Sequence, residues 1–365
     1  MGCYDIFCTL CGAPLTKRDV LDSPDPEPGE MYWDYSSKLM SDADLEWLSG
    51  PLRMVAKREH WKDAPKSKCV DAQIYDSSGY NGDSGYFEVT DGHGEKHWSY
   101  AYELTAQEGF LTYHFIMHAE CLTVLELALE AYSFCHEESA LNRFYDALCT
   151  IMQVTGPSSS ALILPHGYFG AAQFQEQDWE AEKGWEFLVA HPNDIPNATQ
   201  YLISHLHSSS LKDQQSEQDI DQALRDQRAP SNRTKAPSRL ESLPAELLRH
   251  IETQLPINSA FSLRLASRAL AASLPLTQSF WQRRLVTGDL FGFSSINLDK
   301  QALEQVEKGK DWKRLVKALS KYESFNAKEG GRPNEQWGDL SDAPIGLRNH
   351  LRIWHIIMSL LRAQM

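Results

Sequence analysis

Long apolar runs are missing from this chain of 365 residues. No window approaches the roughly 18 consecutive apolar residues of a membrane span, so no membrane association is expected. The start, Met1-Gly2-Cys3-Tyr4-Asp5, lacks the basic region and apolar stretch of a secretory leader. Ile6 stands where a myristoylation motif wants Ser or Thr. The expected location is therefore intracellular, cytoplasm and/or nucleus. Cysteines are few, seven in all, and in a reducing compartment they are expected to be thiols or metal ligands, not disulfides. Basic residues are scarce in the front half. Residues 1–206 carry 12 Lys and Arg against 32 Asp and Glu, a net of −20, whereas 207–365 carry 23 against 18, a net of +5. Such a front half would repel a phosphate backbone, so nucleic acid is not an expected partner. Catalytic signatures are missing too: there is no Walker A loop, no G-x-S-x-G and no H-E-x-x-H. No catalytic residue is assigned, and the chain is read as a non-enzyme.

What is present is globular. Hydrophobic residues make up 42% of the chain and aromatics 10%, enough for real cores. The length and the charge step together suggest two units with different partners. Residues 1–207 read as an α+β domain, a candidate interaction domain, with strands at 53–56, 69–75 and 86–89 and a turn at 79–85. Helices are expected at 42–48, 121–132, 140–152 and 198–206. Residues 208–238, poor in apolar side chains, read as a flexible linker. Beyond it the pattern is all-α: helices at 243–255, 259–272 and 278–285, then a helical C-terminal extension over 286–365 with helices at 310–322 and 346–363.

Two motifs carry chemistry. Cys8-Thr9-Leu10-Cys11-Gly12 is a C-x-x-C followed by glycine, a turn that aims two sulfurs at one point. A structural zinc site wants four ligands, and His118-Ala119-Glu120-Cys121, at the start of a helix, supplies a second pair. Cys8, Cys11, His118 and Cys121 are thus the candidate ligands of a structural zinc ion, which would staple the front domain. The alternatives are a buried core thiol at Cys121 with an unrelated His118, and a redox C-x-x-C.

The second motif runs from Arg239 to Pro256. Pro244 suits a first helical position, Glu246 favours the helix dipole in the first turn, and Leu247, Leu248, Ile251 and Leu255 form one apolar stripe. Further apolar residues follow at Phe261, Leu263, Leu265 and Leu270, then Phe280-Trp281. Three helices in about 45 residues cannot hide so many large side chains among themselves. Either later helices of the same chain cover them, or a partner does.

Leu243-Pro244-x-Glu246-Leu247-Leu248-x-x-Ile251-x-x-x-Leu255, followed by Leu263-Arg264-Leu265-Ala266-Ser267-Arg268, resembles an F-box over residues 239–285. Met1-Gly2-Cys3-Tyr4-Asp5 with Cys8-x-x-Cys11-Gly12 is similar to the start of fungal F-box-containing proteins. His118-x-x-Cys121, Phe280-Trp281-x-x-Arg284, Asp311-Trp312-Lys313 and the run from Gly346 to Trp354 resemble that family as well. The resemblance implies docking on the Skp adaptor of a cullin-based (SCF-type) ubiquitin ligase, with other surfaces recruiting a substrate protein. By the motif, Leu243, Pro244, Leu247, Leu248, Ile251, Leu255, Leu263, Leu265 and Leu270 would meet the adaptor. The rival expectation is a zinc-containing scaffold or regulatory protein with no ubiquitin-ligase role.

Overall fold

The computed structural model describes residues 7–17, 39–57, 71–81, 86–90, 94, 96–100, 105–107, 110–133, 139–155, 184–207, 239–307, 309–320 and 340–363. The expected linker at 208–238 and the start at 1–5 lie outside the described residues. The chain forms two compact units, one from residues 1–196 and 322–365, the other from 197–321.

The first unit is built on an antiparallel sheet. Its strands are β1 (Leu52–Lys57), β2 (Ala72–Asn81), β3 (Tyr86–Thr90), β4 (Lys96–Tyr100) and β7 (Phe115–His118), in the order β4-β3-β2-β1-β7. β5 (Thr105–Gln107) and β6 (Phe110–Thr112) pair separately. The expected turn at 79–85 is corrected in its first half. β2 continues through Gly79 to Asn81, with a register shift between Ser78 and Tyr80. Glycine lets a strand absorb such a bulge without breaking. β7, which periodicity did not reveal, sets Leu52 opposite His118 and Val55 opposite Phe115. All four of its side chains are buried, so it shows none of the alternation by which a half-exposed strand is read.

β7 passes without a loop into α1 (Ala119–Ser133), whose Cys121, Val124, Leu125 and Ala128 form a buried stripe. α2 (Ala140–Thr155) adds Phe144, Tyr145 and Leu148. In the second unit lie α3 (Ala198–Ser204), α4 (Ala245–Gln254), α5 (Ile257–Ala266), α6 (Arg268–Ser273), α7 (Gln278–Thr287), α8 (Lys300–Glu304) and α9 (Trp312–Ser320). Pro244 immediately precedes α4 with ψ 145°, one position earlier than its expected place inside the helix. The single helix expected over 259–272 is two: Ser267 is extended (φ −158°, ψ 148°) and its hydroxyl accepts from the Leu270 amide, capping α6. Phe280, Leu285, Phe293, Leu303, Trp312 and Leu319 are buried in the body of this unit.

The C-terminal extension expected over 286–365 is divided. α10 (Ile345–Arg362) belongs to the first unit, where it packs on α1, α2 and a short 3₁₀ turn, Glu186–Leu188. The physical reason is burial on nearly every side. Leu347, Leu351, Ile353, Ile356, Ile357 and Leu361 are all at most 1% exposed. Each is worth about 1.5–3 kcal/mol when covered, so this helix cannot sit as a solvated tail. Among the described residues no helix is long and apolar enough to cross a membrane.

Candidate functional site

The knuckle is shaped by its own backbone. The Cys8 amide donates to the Ala13 carbonyl and the Gly12 amide to the Cys8 carbonyl, both at 2.8 Å. Gly12 takes φ 69°, a left-handed conformation that a glycine adopts without strain. Thr9 then fastens the turn to β7: its amide (2.8 Å) and its hydroxyl (2.7 Å) both donate to the Ile116 carbonyl. Two residues on, β7 ends in His118, and the first turn of α1 presents Cys121.

The result is one buried cluster. The ligand atoms of Cys8, Cys11, His118 and Cys121 all lie within 4.8 Å of one another, and none of the four residues is more than 1% exposed. His118 Nδ1 is 3.4 Å from Cys11 Sγ and 4.0 Å from Cys121 Sγ. A tetrahedral ion with metal–sulfur bonds of about 2.3 Å and a metal–nitrogen bond of about 2.05 Å sets such S···N edges near 3.6 Å. His118 Nε2 donates to the Pro14 carbonyl at 3.1 Å. That bond keeps a proton on Nε2 and turns Nδ1 toward the sulfurs, the outer bond that metal-binding imidazoles ordinarily make. The four residue types, their burial and the ring's orientation fit a four-ligand metal centre.

The electrostatics of the cluster are those of crowded donors. Burial pushes the Cys8 thiol up, but contacts with Cys11, Cys121 and the His118 charge prevail and hold it well below the usual thiol range. Burial raises Cys11, and both burial and the neighbouring sulfurs push Cys121 well above the usual thiol range. Burial opposes charge on His118, yet the Cys8 and Cys11 sulfurs lift its pKa to about 10.

Two residues around the cluster were not among the expected ligands. Trp47 covers His118 with ring centroids 4.8 Å apart and anchors its indole Nε1 on the Val189 carbonyl at 2.9 Å. Arg352 reaches from α10 to the Cys11 carbonyl.

The second candidate, the ridge of α4 to α6, is split by the structure. Leu248 and Leu270 are buried in a small core with Leu274, flanked by Leu243 and Leu263. Ile251 and Leu255 are half-buried, and Pro244 is exposed. Leu247 is 51% exposed and Leu265 86% exposed. Behind the ridge Arg284 of α7 is buried. Its Nη2 donates to the Glu252 carbonyl (2.5 Å), and its Nη1 to the Leu255 carbonyl and the Asp289 carboxylate (both 2.6 Å). The guanidinium thereby caps the C-terminal turn of α4. No protein-family model, curated protein or solved structure matches this chain.

Proposed function

We propose that this chain is a non-catalytic adaptor that docks on the Skp subunit of a cullin-based ubiquitin ligase through the ridge of α4 to α6, with a zinc-stapled α+β unit as the candidate site for a substrate protein. The observation that carries the reading is the exposure of Leu247 and Leu265 on helices whose small core already holds Leu248, Leu270 and Leu274. Burying two exposed leucines contributes about 1.5–3 kcal/mol each, a favourable term that water denies them. The Leu-Pro stripe and the Leu-Arg-x-x-Ser-Arg run support the adaptor as the partner.

Cys8, Cys11, His118 and Cys121 would hold the zinc. With all four positions taken by protein atoms, such an ion would offer no open site for substrate and would supply cross-linking alone. Full-length protein is to be mixed with a Skp adaptor and resolved by size exclusion. Co-elution is expected for the unmutated chain, and Leu265→Asp should weaken it about tenfold or more while leaving the thermal melt unchanged. Failure of the unmutated chain to associate refutes the docking proposal.

The four-ligand cluster is complete without the ridge, which favours a second reading: a zinc-containing scaffold with no ligase role. One zinc per chain together with no adaptor binding is its signature.

A further inference from the structure

α10 is the last helix among the described residues, yet it meets the knuckle at Cys11. Arg352 is 0% exposed, and its Nη2 donates to the Cys11 carbonyl at 2.7 Å, 341 residues away in sequence. The same nitrogen donates to Asn349 Oδ1 at 2.6 Å. Asn349 is in turn fixed by its own amide, which donates to the Ala190 carbonyl at 2.6 Å, and His350 Nδ1 lies 2.9 Å from the Pro192 carbonyl. The guanidiniums of Arg348 and Arg352 lie 5.6 and 5.9 Å from the centre of the Phe187 ring. Asn349, His350 and Arg352 are therefore tied by hydrogen bonds inside the unit, and the chain of bonds ends on a candidate ligand's own carbonyl.

We infer that Arg352, set by Asn349, is a positioning residue of the metal centre, so that metal retention at Cys8 and Cys11 and docking of α10 depend on each other. This rests on the reading of the Cys₃His set as a metal site. A divalent ion with three thiolates and one neutral imidazole carries a net single negative charge, and a buried ionic group of that kind needs a nearby counter-charge or donor. The Arg352 guanidinium supplies a positive charge at the knuckle. Its bond to the Cys11 carbonyl fixes the peptide from which one sulfur projects. Outer contacts of this type are worth about 10- to 100-fold in metal affinity.

The test uses the full chain purified with zinc. Metal content is read by mass spectrometry, retention by competition with a chromophoric chelator, and site geometry by the sulfur-to-metal and ligand-field bands of the cobalt-substituted protein. Arg352→Gln should release zinc about 10- to 100-fold more readily and shift the cobalt bands, and Arg352→Lys should recover part of the loss. Ile356→Ala, which trims a buried side chain of the same helix and leaves Arg352 and Asn349 in place, should leave the cobalt bands unchanged. In the unmutated protein, stripping the zinc should speed amide exchange across 345–362.

Should Arg352→Gln fail to fold, the exchange measurement on the unmutated chain decides. Unmutated protein that binds one zinc, with Arg352→Gln matching it in retention and spectrum or with exchange in 345–362 indifferent to zinc, overturns the inference and leaves the metal site standing. Unmutated protein that binds well under one zinc per chain overturns both.

Discussion

Replacing Arg284 with methionine removes the guanidinium while keeping most of the apolar stem against Phe280, over whose ring Arg284 lies at 5.3 Å. Three charge-assisted hydrogen bonds are lost, to the Glu252 and Leu255 carbonyls and to Asp289. Bonds of this class contribute about 1.5–3 kcal/mol apiece. The three do not add fully, because Asp289 keeps access to water through a side chain 35% exposed. The Glu252 carbonyl keeps one donor, the Leu255 amide at 3.2 Å, but the Leu255 carbonyl lies past the end of α4, beyond the reach of the helix's own amides. The expected loss is therefore about 3–5 kcal/mol, the range for breaking a buried charged contact. Against a domain stability of about 5–15 kcal/mol that is a large fraction. Arg284→Lys keeps the charge without the fork and should fall between. Arg268→Met, at an exposed position, should stay within about 0.5 kcal/mol. Urea unfolding followed by hydrogen exchange at the α4 amides reads the effect. A loss below about 1 kcal/mol for Arg284→Met would show that water satisfies those carbonyls and that the latch is not what holds α4.

Cys121→Ser should lower zinc content well below one per chain and collapse the near-ultraviolet signal of the first unit, since structural zinc sites are worth about 10–16 kcal/mol; full content would remove Cys121 from the ligand set. His355 is held at a pKa of about 4 by burial first and by the Arg362 and His350 charges second. Its folded pKa lies below the unfolded 6.5, so the unfolded chain binds the extra proton. Stability is then full above about pH 6.5 and falls as pH drops toward 4, by up to about 3 kcal/mol. His355→Gln should flatten that part of the pH–stability curve relative to the unmutated chain, and two superimposable curves would contradict it. At Gly288, with φ 84°, a Cβ would meet the Ser294 backbone nitrogen at 2.4 Å. Gly288→Ala should cost about 1–3 kcal/mol in a thermal melt, and an unchanged melt would rule out that close approach.

The sequence displayed ligand chemistry better than ligand geometry. Cys8, Cys11, His118 and Cys121 were legible as a candidate set because metal binding demands specific residue types at close spacing. The contact joining the pairs was not: it depends on β7, a four-residue strand buried throughout, and on Thr9 bonding to Ile116. The start of α4 was marked by Pro244, but the break at Ser267 was masked by apolar periodicity running across it. The burial of Asn349, His350 and Arg352 was not legible either. Their partners, the Ala190, Pro192 and Cys11 carbonyls, lie far away in the chain, and spacing within one helix carries no sign of them.

Because α10 completes the unit whose sheet is made from residues 52–118, synthesis and folding run in different orders. The ribosome delivers the sheet first and α10, which packs on α1 and α2, only after the whole of 197–321 has been made. That middle unit has all its own segments as soon as residue 321 emerges, and domains fold as units. The inserted piece is thus ready before its host, and the nascent host must wait with α1 and α2 uncovered until residue 362 is free.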